Sequence, residues 1–478
     1  MFHPWAAGPG SAAPPAPPVV PADPEVVIRQ ARARQRRRRQ RTAALVAAAL
    51  LGGGAVYLAV GGPSGPKPGH RQPAGTRGAA FRVNTAAFAG HGELAFVSRG
   101  ALWVLDGTAR TLRLAAPRDM GPSNPVFSAD GRWLAFTATR PGPAALASTV
   151  WLANGDGSRV HPIGARLGLI GWSPAAAVLA VTAGNTVRLI SPSGPARTLV
   201  RAAGIGPTAW SPSGGALAVA TASASASTLA SYPVTGGRAT TWLHLRARST
   251  MNYLIDPAGW WPQQGIGFWA LTNSTSLNAD QGPFYVIRAP GARPRLLGNT
   301  LPGSGLDQVT AAARGPLAIV AEVPRAGLGR LIWQGRRIKV CEPATACAAV
   351  PSPPGTVTLD PAWSPDGATL AFVRAPSRAS PGFPQPVVAA WYDAHQLWLY
   401  HPATHSVSRL DARGATVPAW SADGTSLLYA ARDGIWLLPR LGGRPVRIAT
   451  PLFPPGNWPT YYGQVSWAAQ FAWWSGQP

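Results

Sequence analysis

Beyond residue 80, sixteen carboxylates and six histidines are the side chains with which this 478-residue chain could do acid–base or metal chemistry. The eight histidines of the whole chain, His3, His70, His91, His161, His244, His395, His401 and His405, are scattered. None falls in HExxH or in a Cys/His zinc spacing. No G-x-S-x-G nucleophile elbow is present, and neither a Walker loop nor a dinucleotide fingerprint occurs. Most carboxylates have a turn role. Asp130, Asp366 and Asp423 lie in S-x-D-G segments, where Asp bonds its own backbone and Gly accepts positive φ.

Asn124, Asp256 and Asp360 stand apart from these turn acids. Each precedes a proline at one register position of three related segments, NPVF, DPAG and DPAW. At the start of an innermost strand they would be candidate polar residues at a channel mouth, placed to meet a cation or a basic peptide. The plainer role is strand-entry hydrogen bonding beside a proline. Glycosidase chemistry would need two such acids facing each other across a substrate. No catalytic residue, metal ligand or cofactor is expected. Cys341 and Cys347 bracket the five-residue turn EPATA between apolar strands, so a disulfide across the hairpin legs is expected.

The segments that hold these residues repeat along the chain. DPAWSPDGATLAFV (360–373) and VPAWSADGTSLLYA (417–430) are the clearest copies, and NPVFSADGRWLAFT (124–137) and PTAWSPSGGALAVA (207–220) match them. LIGWSPAAAVLAVT (169–182) and TAAFAGHGELAFVS (85–98) are looser; segments around 260 and 312 are degenerate. The anchors Phe127, Trp172, Trp210, Trp363 and Trp420, with equivalents at 88, 260 and 312, are 38–57 residues apart. Each unit reads as an aromatic closing a first strand, a turn, a second strand with a small central Ala, then two more strands. Such a four-stranded blade is apolar on both faces and must stack in a closed ring. The expectation is all-β: a β-propeller of about eight four-stranded blades, or seven if the copy near Ala312 is no blade. The C-terminal GQVSWAAQFAWW (463–474) reads as a further strand pair that helps to close the ring.

These motifs resemble the WD40-like repeats of the TolB-like propeller family, over about four-fifths of the chain. The resemblance implies an extracytoplasmic propeller that acts through protein partners. The family also contains propellers fused to serine peptidases, but no residues remain here for such a domain.

Ahead of the repeats, residues 1–41 form a Pro/Ala-rich and then Arg-rich tail with eight arginines between 29 and 41, including Arg36, Arg37, Arg38 and Arg39. Residues 42–60 carry no charge, and nineteen helical residues span about 28 Å, enough for a bilayer core. The positive-inside bias keeps the tail cytoplasmic and exports the rest of the chain: a linker, 61–80, and the propeller, 81–478. A cleavable signal peptide is the alternative, disfavoured by its long n-region. The arginine cluster would sit on anionic lipid.

Of the net charge of +25, residues 1–42 carry +6 and the rest of the chain +19, from arginines spread singly through the repeats, with two lysines in the whole chain. Dedicated nucleic-acid binding wants basic residues gathered on one face with aromatics interleaved, so no specific nucleic-acid partner is expected. An anionic polymer or carbohydrate remains a possible partner. The function expected is a non-enzymatic, membrane-tethered platform for envelope proteins. The alternative is a propeller enzyme or carbohydrate sensor using the central channel.

Overall fold

Side chains alternate across a strand, so the second strand of each repeat feeds two interfaces at once. Leu134 and Phe136 pack toward the preceding sheet and Ala135 toward the following one. Leu179 and Val181 against Ala180, and Leu217 and Val219 against Ala218, divide in the same way. The bulky residues fill one interface, and the small Ala lets the next sheet approach. The computed structural model that shows this describes residues 81–139, 148–223, 225–246, 253–272, 282–301, 308–313, 315–322, 334–343, 346–378, 385–450, 452 and 465–476. All of these lie in the second of the chain's two units, Thr76–Pro478.

Eight antiparallel sheets follow one another as blades 1 to 8, seven of four strands and one of five. Their first strands are Phe471–Trp474, Pro122–Phe127, Leu167–Trp172, Ile205–Trp210, Tyr253–Trp261, Val309–Ala311, Thr356–Trp363 and Thr416–Trp420. Apolar clusters fill the interfaces 1–2, 2–3, 3–4, 4–5 and 5–6, and one further cluster runs from blade 6 through 7 and 8 into blade 1. The ring is therefore closed, with eight blades. The degenerate copy near Ala312 is blade 6, with strands Val309–Ala311, Leu317–Glu322, Arg336–Cys341 and Cys347–Ala349. Cys341 and Cys347 are register partners in its last hairpin and form a disulfide.

Closure uses both ends of the described chain. Arg82–Val83 adds a fifth strand to blade 8 by pairing with Val446–Thr450. Phe471–Trp474 is the first strand of blade 1, paired with Glu93–Ser98. This corrects two readings of the sequence. The segment 85–98 is not a hairpin of first and second strands, because Phe88 lies buried in a turn ahead of the second strand. The C-terminal segment contributes one strand, preceded by a 3-10 turn at Trp467–Ala469, and not a strand pair.

The repeat tryptophans work across blades. Trp172 Nε1 donates to the Val126 carbonyl of blade 2 at 3.0 Å, Trp210 to Gly171 of blade 3 at 3.1 Å, and Trp420 to Ala362 of blade 7 at 3.0 Å. Trp363 is as buried as Trp172, but its indole N–H has no partner among the described residues. The S-x-D-G turns are near copies of one another. Ser128, Ser364 and Ser421 donate to Asp130, Asp366 and Asp423 at 2.5–2.6 Å. Each serine oxygen also accepts the backbone N–H five residues on, at 2.9–3.0 Å.

The segment expected to cross a membrane (42–60), Arg36 to Arg39 and the linker lie outside the described residues. Among the described residues no helix is long and apolar enough to cross a membrane.

Candidate functional site

Blade 7 carries what no other described blade does, a helix α1 (Gln385–Asp393) inserted between its second and third strands. Val388, Trp391 and Tyr392, spaced i, i+3, i+4, are buried, and Trp391 Nε1 donates to the Pro376 carbonyl at 2.9 Å. His395 follows the helix and is 1% exposed, edge-on to Trp391 with ring centroids 4.5 Å apart. Burial pushes its pKa down to about 3, with the Ala415 backbone opposing, so the imidazole is neutral at physiological pH.

Beneath this helix lies Asp360, within the first strand of blade 7 at a bulge between Leu359 and Ala362. Its Oδ2 accepts hydrogen bonds from Thr416 Oγ1 at 2.5 Å and from the Val417 N–H at 3.1 Å, both on blade 8. Burial pushes the Asp360 pKa up, and these two bonds pull it back. Burial and the Asp360 charge together raise the pKa of the Tyr392 phenol. Val417 itself has φ +42, a region β-branched residues rarely enter, and the carboxylate holds its N–H there. Asp360 is thus a clamp between blades 7 and 8.

Asn124 occupies the matching bulge in blade 2, also at positive φ, but its side chain bonds Thr137 and Ser123 of its own blade. Asp256 lies within the first strand of blade 5, 8% exposed, and accepts no hydrogen bond among the described residues. Burial raises its pKa to about 6. All three sit inside the first strands of blades 2, 5 and 7, not at the strand starts. His401 and His405 are each tied to a neighbour, Thr369 and Tyr400, and among the described residues no group of His, Cys, Asp and Glu has metal-binding geometry.

A cleft with no counterpart in the sequence reading opens between blades 7 and 8, on the side of α1. It encloses about 490 Å³ and is lined by Asp393, Asp411, Arg413, Arg432, Asp433 and Trp436 among others. Arg432 grips Asp393 with two hydrogen bonds of 2.9 and 2.8 Å. Asp433 accepts the Trp436 indole N–H at 2.9 Å and an Arg447 N–H at 3.1 Å. Tyr429 lies parallel to Trp436 as the floor, with its pKa raised by burial and by Asp433 and Asp411. Asp411 is exposed and carries no ion pair among the described residues. The wall is therefore aromatic and mixed in charge, three carboxylates beside Arg413 and Arg432, with Asp393 and Asp433 ion-paired to arginines. These residues come from the end of α1, the last strand of blade 7, and the second and third strands of blade 8 with the turn that joins them. Only the ring brings them together.

No family model matches the sequence, and no curated protein does either. Solved structures resemble it at the level of the ring. A study of two prolyl endopeptidases supplies one, at 11% identity and TM-score 0.42, covering 73% of this chain and 57% of that one. An oligogalacturonate lyase in complex with manganese matches at 11% identity and TM-score 0.44, covering 81% and 88%. TolB from Acinetobacter baumannii matches at 11% identity and TM-score 0.31, covering 73% and 62%. The chain thus spans little more than half the length of the peptidase it matches. At such identities the likeness is one of fold and says nothing of what this chain binds.

Proposed function

We propose that the chain is a non-enzymatic propeller, tethered to the membrane by residues 42–60, that holds an envelope protein through its ring surface. The observation that carries this reading is the cleft between blades 7 and 8. Its exposed Asp411, with no ion pair among the described residues, and the aromatic Trp436, beside the arginine-paired Asp393 and Asp433, suit a basic side chain of a partner. Two buried titratable groups of blade 7 are spent on structure, Asp360 in holding blade 8 and His395 as a neutral ring. The arginine run and uncharged stretch at the N-terminus support the tether.

Each half has its own experiment. An exported-only reporter fused after Ala80 should be active and one fused before Arg29 inactive; reversed activities would overturn the tether's orientation. For the platform, a photo-crosslinking residue at Asp411 of the full-length protein should trap one discrete envelope protein. Asp411→Arg should weaken that capture about tenfold while leaving the melting temperature near wild type. Turnover of a peptide or glycan by the purified protein, abolished by a single substitution that leaves melting intact, would sink the platform reading.

A further inference from the structure

A second cleft, between blades 4 and 5, has a different chemistry. It encloses about 710 Å³, within the range of small-ligand sites, and no acidic residue is among the residues that line it. One wall is the last strand of blade 4, Thr240–Arg246, which presents Leu243, His244 and Arg246. The other is the face of blade 5, where Phe268 and Tyr285 are register partners on adjacent strands, stacked with centroids 5.6 Å apart. Phe268 is buried behind, and Tyr285 is the partly exposed ring that meets the cavity. Arg293 completes the rim.

The polar groups here are poised toward the cavity and not paired off across it. Arg246 and Arg293 have no ion-pair partner among the described residues, unlike Arg432 and Arg447 in the other cleft. His244 is oriented by one hydrogen bond, between its Nδ1 and Thr228 Oγ1 at 2.9 Å, which leaves Nε2 as its remaining polar ring atom. Two guanidinium forks favour a carboxylate or phosphate, which they bind bidentately. A flat tyrosine backed by phenylalanine, with Leu243 beside it, offers a platform for the apolar face of a ring. An extended nucleic-acid strand would instead need a succession of stacking aromatics along a basic groove.

We propose that this cleft binds a sugar bearing a carboxylate or a phosphate, with Tyr285 under the ring and Arg246 and Arg293 on the anion. The site is separate from the blade 7–8 cleft, so it stands or falls without the platform reading.

The test uses the full-length protein in detergent and four probes at physiological ionic strength. These are a glucuronic-acid tetrasaccharide, a phosphorylated glucose tetrasaccharide, the unmodified glucose tetrasaccharide and an oligothymidylate. One or both anionic sugars should bind about tenfold or more tighter than the neutral one, and which of them binds decides between carboxylate and phosphate. Arg246→Ala with Arg293→Ala should remove about tenfold or more of that affinity without lowering the melting temperature. The same double change at Arg188 and Arg201 on blade 3 should leave it untouched. Tyr285→Ala should weaken binding and Tyr285→Phe largely preserve it; if the alanine variant melts early, the arginine pair decides alone. The proposal is overturned if no anionic sugar binds, if the neutral sugar binds equally well, if oligothymidylate binds as tightly, or if the arginine variant binds like wild type.

Discussion

A chain ending at Gln470 should lose its cooperative fold. The strand that this removes, Phe471–Trp474, is small, but it ties three blades together. It pairs with Glu93–Ser98 of blade 1 over four register positions. Trp473 Nε1 donates to the His91 carbonyl at 2.7 Å. Trp474 reaches into blade 2, donating to the Ala129 carbonyl at 3.0 Å and lying so close over Gly131 that a Cβ there would meet the ring. Ser475 Oγ accepts the Ala422 N–H of blade 8 at 2.7 Å. Net hydrogen bonds are worth about 1 kcal/mol each, and burial of three half-covered aromatics adds several more. The sum approaches the roughly 5–15 kcal/mol that holds a typical domain together. The shortened protein should melt broadly and be cut rapidly by protease within blades 1 and 2. A peptide matching residues 471–477, added in trans, should partly restore protection. Trp474→Ala alone should cost about 1–3 kcal/mol, since it bares the Gly131 face but keeps the ladder. An unchanged, cooperative melt of the truncated chain would refute this account of closure.

The blades are legible in the sequence because each repeat states its own local structure. An aromatic, an Asx-type turn and an alternating Leu-Ala-Phe strand are short-range signals, and even the degenerate copy at Ala312 keeps its spacing. Residues 463–474 point to closure, but pairing between positions about 380 residues apart has no local signature. Helix α1 escapes the repeat pattern although VVAAWY carries the i, i+3, i+4 spacing, because the strand QLWLY directly after it dominates the local signal. The candidate site is less legible still. Asp393, Asp411 and Asp433 are about twenty residues apart, a spacing that means nothing until blades 7 and 8 are side by side. Asp360 is recognisable as unlike the turn acids from its place before Pro361. That its partners are Thr416 and Val417 depends on the geometry between blades.

Between about pH 4 and 6.5 two opposing effects of burial should nearly cancel, two carboxylates on which the folded state holds the proton and His395, which it keeps neutral. Burial lifts Asp256 to about 6 from 3.8. Glu93, at the start of the second strand of blade 1, is lifted to about 7 from 4.5 by burial and by the nearby Asp106 and Asp156. In both cases the folded state holds the proton more tightly than the unfolded chain. Their contribution is therefore fully present below the unfolded values and lost as pH climbs through the folded ones. For Asp256 the loss is of order 3 kcal/mol, since each pK unit is about 1.4 kcal/mol. Glu93 is only half buried, so solvent screening trims its share to about 1–2 kcal/mol. Asp366 and Asp423 act oppositely, because serine and backbone hydrogen bonds hold their pKa values below the usual range. Their effect belongs below about pH 4, while the buried His395, with its pKa pushed down to about 3, loses several kcal/mol of stability as pH falls from about 6.5 and so offsets the two carboxylates. Urea titrations of the full-length protein across pH 4–8 should show a nearly flat midpoint in the wild type. Asp256→Asn should raise the midpoint at pH 7.5 but not at pH 4, so that stability then climbs with pH, and Glu93→Gln should do the same more weakly. An Asp256→Asn variant weaker than wild type at pH 7.5 would show that Asp256 is satisfied as an ion in the folded ring.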